Sequence, residues 1–143
     1  MKKTTLCLLA LISFVVLSCQ HDQSHLLPGV KVLTNQVGYD SASYKQAVIS
    51  ADSTLDFTSF DLLNVKNDSV VFQGKVAFKG GVDQWNHWKF WTIDFSDFTT
   101  PGNYFIRVNA KNGIAYSLPF RIAKDVLERY TLSNVIYYFK GQR

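Results

Sequence analysis

The chain has 143 residues, of which 47% are hydrophobic, 15% aromatic and only 18% charged. This length indicates one domain, and the composition excludes a disordered chain and a coiled coil. The formal net charge is +4, but Lys2 and Lys3 lie in a segment that we predict is removed. Taking these two from the 15 basic side chains leaves 13 against 11 acidic ones, a balance of +2. No Lys/Arg cluster remains, so we expect no nucleic-acid partner.

Residues 1–18 are predicted to be the signal peptide of an exported lipoprotein. A basic start precedes an apolar run from Leu6 to Leu17, which is shorter than the roughly 20 residues that a membrane-spanning helix needs and fits a secretory signal. The sequence VLSC, ending at Cys19, resembles the lipobox of bacterial lipoproteins. That resemblance implies that Cys19 is acylated and anchors the mature chain to a membrane. The alternative is an ordinary signal peptide that contains a cysteine.

Residues 19–29 are polar and without period, and we predict a tether between membrane and domain. Cys7 leaves with the signal and acylation consumes Cys19, so we expect no disulfide in the mature domain. His21 and His25 are predicted to be solvated, because no third ligand lies near them. We expect neither a metal nor a cofactor, since no metal-binding loop has the spacing of Asp52, Asp56, Asp61, Asp94 and Asp97.

Residues 30–122 alternate between short apolar runs and turn signals, and they predict an all-β fold, an immunoglobulin-like antiparallel β-sandwich of about seven strands. The run from Val70 to Phe78 alternates as a single strand. Trp91 lies on the apolar face of the next strand and is predicted to be core. The last run, Ile114 to Ile122, predicts one strand with its even-numbered apolar residues on one face. Pro119 has no N–H to donate, which favours an edge or bulged strand.

The sequence PGNY, residues 101–104, joins two of these strands. Pro101 and Gly102 are the expected central pair of a type II turn. Tyr104 resembles the tyrosine corner of immunoglobulin-like sandwiches, in which the hydroxyl bonds back to the corner backbone. Ile106 stands where an antibody domain has its cysteine.

The apolar period changes after Ile122, and residues 123–143 are predicted to contain one C-terminal α-helix. Its apolar stripe falls at the spacing i, i+3, i+4 and i+7 and consists of Leu132, Val135, Ile136 and Phe139. A monomer seldom exposes such a patch, so we expect the stripe to contact a domain downstream of residue 143. The alternative is that the helix packs across an open end of the sandwich.

The sequence WNHWKFW, residues 85–91, contains all three tryptophans. Trp85 and Trp88 straddle a transition from loop to strand and are candidates for contact with a carbohydrate or with another domain. The alternative for both is ordinary core packing. His87 has no acid–base partner nearby and is given no role.

Four motifs follow one another along the chain: NQVGY (35–39), KQAVI (45–49), DFSDFTTPGNYFIRV (94–108) and SLPFRI (117–122). In this order they resemble one family, the N-terminal immunoglobulin-like domain of family 9 glycoside hydrolases, or cellulases. The sequence LSNVIYYFKGQR (132–143) resembles the first helix of that family's (α/α)6 catalytic barrel.

This resemblance implies that a complete protein hydrolyses β-1,4-linked glucans with inversion, using two carboxyl groups. The family's Asp-Ala-Gly-Asp motif is absent and Glu128 is the only glutamate, so no catalytic residue is assigned and the chain as it stands is not expected to be an enzyme. The expected role is a non-catalytic module that braces a missing downstream catalytic domain. The alternative is a stand-alone surface lipoprotein that binds β-glucan through Trp85 and Trp88.

Overall fold

The computed structural model describes residues 26–85 and 87–142, which contain ten β-strands and one α-helix. The predicted signal peptide, Cys19, His21 and His25 lie outside the described residues. The strands are β1 (Lys31–Leu33), β2 (Tyr39–Asp40), β3 (Gln46–Ala51), β4 (Phe57–Asn64), β5 (Val70–Gly74), β6 (Val76–Gly81), β7 (Lys89–Asp94), β8 (Gly102–Ala110), β9 (Gly113–Tyr116) and β10 (Phe120–Ala123), and the helix is α1 (Val126–Gly141).

The strands form two sheets that face each other across one core. One sheet has the order β1-β3-β7-β6, and the other has the order β2-β10-β8-β4-β5 with β9 paired to β8. Strands β2 and β10 pair in parallel, whereas the other named pairs are antiparallel. The predicted immunoglobulin-like sandwich is confirmed. Its core takes inward-facing residues from both sheets and includes Ile49, Phe60, Trp91, Ile93, Ile106 and Ile122.

The run from Val70 to Phe78 is not one strand, and that prediction is wrong. β5 pairs with β4 in the six-stranded sheet, whereas β6 pairs with β7 in the four-stranded sheet. The chain therefore changes sheets at Lys75, the residue between them. Alternation continues across this step, so the pattern alone does not reveal it.

The run from Ile114 to Ile122 is also two strands rather than one. Ala115 and Ser117 are buried before the break, and Phe120 and Ile122 are buried after it, so the inward face shifts by one residue around Pro119. The predicted single apolar face is wrong. β10 is also not an edge strand, because β8 and β2 flank it.

The predicted tyrosine corner is confirmed at Tyr104. Its ring is buried, and its hydroxyl donates to the carbonyl oxygens of Thr100 and Pro101, each at 3.3 Å. Gly102 does not form the predicted type II turn, because it opens β8 without a positive φ. A Cβ atom there would lie 2.6 Å from the Tyr104 hydroxyl oxygen. Glycine at this position therefore leaves room for the tyrosine.

Candidate functional site

The helix predicted within residues 123–143 is present as α1, and it projects from the sandwich with almost no packing of its own. Val126 is its buried residue. The predicted stripe is exposed to solvent, with relative exposures of 50%, 46%, 58% and 63% for Leu132, Val135, Ile136 and Phe139. The alternative that the helix packs this stripe across an end of the sandwich does not fit the structure.

A second set of large side chains lies on the other side of α1. By the helical period, Tyr130 and Tyr137 fall opposite the stripe and Tyr138 lies on its flank, and all three are exposed. Leu127, in the first turn, is also exposed. A surface helix normally has one apolar face, whereas a helix that is apolar all round is usually buried. α1 thus exposes apolar side chains on two sides, with a polar side between them.

The start of α1 is fixed to the sandwich by Asp40. The Asp125 N–H donates to Asp40 Oδ2 at 2.7 Å, and the Ala42 N–H donates to Asp40 Oδ1 at 3.0 Å. The hydrogen bonds from Ala42 and Asp125 hold the pKa of the Asp40 carboxyl below its usual range. Asp125 has a left-handed backbone, with φ of 55°. This carboxylate thus substitutes for a side-chain cap at the helix N-terminus.

The loop that carries Asp40 is held in turn by Lys45. The Lys45 side chain is fully buried, and its ammonium donates to the carbonyl oxygens of Ser41 at 3.0 Å and Ser43 at 2.8 Å. Burial lowers the pKa of Lys45. These bonds satisfy a charge that would otherwise be costly to bury. They give the base of α1 a rigid support.

Gly38 of the NQVGY motif explains how the helix approaches the sandwich so closely. Its φ of +116° favours glycine, and an added Cβ would lie 2.8 Å from the Arg121 carbonyl oxygen and 3.1 Å from Val126 Cγ1. No sequence pattern predicts a role at this site for Gly38, Asp40 or Lys45. The only local signal was the glycine, since the Asp40–Asp125 contact joins residues 85 positions apart.

Two clefts flank the base of α1. One, of about 350 Å³, lies beside Asp40, Tyr44 and Leu127. The other, of about 640 Å³, lies between strand ends and the helix, where the Arg121 guanidinium stacks 4.4 Å from the Tyr130 ring centroid. Both clefts are continuous with the exposed surface of α1, so a partner on the helix has concave surface on each side of it.

Trp85 and Trp88 lie elsewhere, next to the four-stranded sheet. Trp85 is 60% exposed, and its ring centroid is 5.9 Å from that of Phe90. Trp88 is half-buried, with Lys31 Nζ 5.7 Å from its ring centroid. Trp91 is buried in the core, as predicted. The two candidate tryptophans therefore do not join the helix in one site.

The described part of the chain contains no group of three or more His, Cys, Asp or Glu side chains placed to hold a metal ion. It also contains no helix with the length and hydropathy of a membrane span.

A profile of the cellulase N-terminal Ig-like domain matches residues 28–112. The chain belongs to this family. The match covers strands β1 to β8, including Gly38, Asp40 and the tyrosine corner, whereas α1 lies beyond it. The resemblance to the N-terminal Ig-like domain of family 9 glycoside hydrolases is confirmed.

The relatives of this Ig-like domain are much longer proteins. A xyloglucan-specific endo-β-1,4-glucanase of Bacteroides ovatus is 29% identical over 120 residues, which are 84% of this chain and 19% of that enzyme. A solved GH9 structure from Bacteroides ovatus has 30% identity and a TM-score of 0.52, covering 71% of this chain and 16% of that one. A metagenome-derived family 9 endoglucanase has 26% identity and a TM-score of 0.53, covering 68% and 19%. The chain thus spans about a fifth of the length of the curated relative it matches.

Proposed function

We propose that this chain is the non-catalytic N-terminal Ig-like module of an exported family 9 glycoside hydrolase, and that it braces the catalytic domain of that enzyme through α1. Family membership and the small share of each relative that the chain covers support this role. The observation that carries it is the exposed apolar surface of α1.

The size and shape of that surface favour a protein partner. Eight large side chains of α1 are at least 46% exposed: Leu127, Tyr130, Leu132, Val135, Ile136, Tyr137, Tyr138 and Phe139. Monomers rarely expose contiguous apolar patches of more than a few hundred Å². Apolar side chains on two sides of a helix need a partner with an extended surface, which a small ligand does not have. A catalytic domain that follows α1 in the same polypeptide meets this need with its own helices.

The support beneath α1 suits a bracing role. Asp40 and Lys45 fix the helix start by hydrogen bonds that involve backbone groups, and Gly38 allows the close approach of Val126. The first turn of α1 is therefore tied to the sandwich by packing and hydrogen bonds, which lowers the ordering cost of domain contact.

Hydrolysis with inversion needs an acid and a base carboxyl about 6.5–9.5 Å apart with room for a water molecule. Glu128, the only glutamate, is exposed on α1. We therefore propose that this chain alone does not hydrolyse glucan. Separately, the VLSC sequence that ends at Cys19 leads us to propose that this cysteine anchors the enzyme to a membrane.

The exposed stripe gives the proposal a direct test. Light scattering of the full chain is expected to show self-association, because isolated α1 surfaces bury each other. Replacing Leu132, Ile136 and Phe139 together by Ser should reduce the apparent mass toward that of a monomer. A control chain with three other exposed apolar residues replaced by Ser, Leu33, Val70 and Leu118, should associate like the unmodified chain. A monomeric unmodified chain, or equal behaviour of the two variants, would count against docking through α1.

A further inference from the structure

Three aromatic side chains, Trp85, Trp88 and Phe90, form a patch on the outer face of the four-stranded sheet, here named the aromatic platform. We infer that the aromatic platform binds a β-linked glucan chain, so that the module holds substrate as well as the catalytic domain. The choice of glucan rests on the proposed function, in which the module belongs to a glucan-degrading enzyme.

The register of the sheet places these residues on one face. Lys31 pairs with Ser50, and Ser50 pairs with Phe90, so the three form a row across β1, β3 and β7. The next residue along each strand is buried in the core, and the row therefore faces outward. The Trp85 ring lies beside Phe90 in a tilted arrangement and Lys31 lies over Trp88, which brings both tryptophans to this face.

The aromatic rings cover the sheet and remain accessible from outside. Ser50 points outward yet is only 5% exposed, so neighbouring side chains cover it. Trp85 is 60% exposed, which leaves much of its ring free. On the neighbouring strand β6, Gly80 pairs with Phe90 and carries no side chain. A Cβ atom built on Gly80 meets no atom within 4 Å. A ligand can therefore lie across the aromatic platform without meeting a wall on the β6 side.

The size of the aromatic platform favours a sugar chain over a protein. A fully exposed aromatic side chain offers about 150–250 Å², and Trp88 and Phe90 are already half-buried. The platform therefore falls well below the roughly 800 Å² per partner of a stable protein interface. The C–H faces of β-linked glucose are flat and apolar and match exposed rings, while the Lys31 ammonium beside Trp88 supplies donors to sugar hydroxyls.

The aromatic platform and α1 belong to opposite sides of the sandwich. α1 stands against β2 and over Arg121 of β10, which points outward from the six-stranded sheet. The aromatic platform lies on the outer face of the other sheet. A catalytic domain held by α1 therefore leaves the platform free to bind substrate.

Titration of the full chain with cellohexaose and with soluble xyloglucan tests this inference, with tryptophan fluorescence and calorimetry as readouts. Trp91 is 4% exposed, so a fluorescence change reports on Trp85 and Trp88. We expect saturable binding that Trp85→Ala weakens at least about tenfold, which corresponds to about 1.4 kcal/mol. Trp85→Phe should retain most of the affinity, because a ring remains. Tyr116→Ala, which removes an exposed ring from β9 in the other sheet, should bind like the unmodified chain.

No saturable signal with either sugar would overturn the inference, and so would equal affinities of the Trp85→Ala variant and the unmodified chain. Thermal unfolding of each variant confirms that the fold is intact, which is expected because Trp85 is largely exposed. The proposed docking of α1 is tested separately by the stripe variant. If no sugar binds but the replacement of Leu132, Ile136 and Phe139 by Ser still lowers the apparent mass, the proposed function stands and only the inference about the aromatic platform fails.

Discussion

Replacing Asp61 by Ala is expected to lower the free energy of unfolding by about 2–3 kcal/mol. Asp61 lies on the outer face of β4 and is 2% exposed. Its Oδ2 accepts hydrogen bonds from Arg107 Nε at 3.0 Å, Arg107 Nη2 at 2.8 Å and Asn109 Nδ2 at 2.9 Å, while its Oδ1 accepts one from Gln73 Nε2 at 2.6 Å. Removal of the carboxylate takes this acceptor from Arg107 and Gln73, while Asn109 Nδ2 keeps its hydrogen bond to Ser59 Oγ. The Arg107 side chain is 32% exposed, so water compensates part of the loss.

Asp56 provides a matched control for Asp61. It pairs with Lys111 at 2.7 Å, but both side chains are about two-thirds exposed. Exposed ion pairs contribute little to stability, so Asp56→Ala should leave the denaturant midpoint unchanged. Equal losses in the Asp61→Ala and Asp56→Ala variants would contradict the stabilising role of the buried network.

The Asp61 network also predicts a dependence of stability on pH. Burial alone raises the pKa of the Asp61 carboxyl, but hydrogen bonds from Asn109, Gln73 and Arg107 outweigh it and the pKa falls below its usual value. A depressed pKa in the folded state gives stability that is present above the pKa of the unfolded state, about 3.9. This stability is lost as the pH falls through the folded-state pKa. The difference in unfolding free energy between the unmodified chain and Asp61→Ala should therefore shrink in acid.

Replacing Gly74 by Ala is expected to cost about 1–3 kcal/mol through overpacking. Gly74 is the last residue of β5, just before the chain changes sheets. A Cβ there would lie 2.4 Å from Phe60 Cε1 and 2.7 Å from Phe60 Cζ. Phe60 is fully buried and packs against Phe72, so its ring has little room to move. Chemical denaturation measures the loss.

Gly141 serves as the control for this substitution. It is the last residue of α1, and a Cβ built there meets no atom within 4 Å. Gly141→Ala should be neutral or slightly stabilising, because alanine favours the helix. In a chain that already carries Phe60→Leu, Gly74→Ala should cost less than it does in the unmodified chain, because the smaller side chain leaves room for the added Cβ. A Gly74→Ala chain as stable as the unmodified one would contradict the close contact.

The sequence predicts the parts of this fold that depend on neighbouring residues. Alternation placed Trp91 in the core, PGNY indicated the corner at Tyr104, and the helical period found the stripe of α1. Each of these signals is contained in a window of about ten residues. Val126 is buried and the stripe is exposed, and the contact of the stripe with a downstream domain stays a prediction.

The features that the sequence did not predict depend on distant contacts. At Lys75 the chain changes sheets, and around Pro119 its inward face shifts by one residue. Both features depend on which strands pair, and the alternation of apolar residues does not reveal either one. Asp40 meets Asp125 across 85 positions, and Asp61 meets Arg107 across 46. A single sequence carries no sign of such pairs, because an isolated Asp is equally compatible with a solvated turn.

The size of the native polypeptide tests the central claim most directly, namely that this chain is one module of a longer glycoside hydrolase. An immunoblot of cell membranes with an antibody raised against residues 30–122 gives this size. We expect one membrane-associated band several-fold larger than the 16.2 kDa of the chain. A band near 16.2 kDa would contradict the claim, and a stand-alone glucan-binding lipoprotein would then become the favoured function.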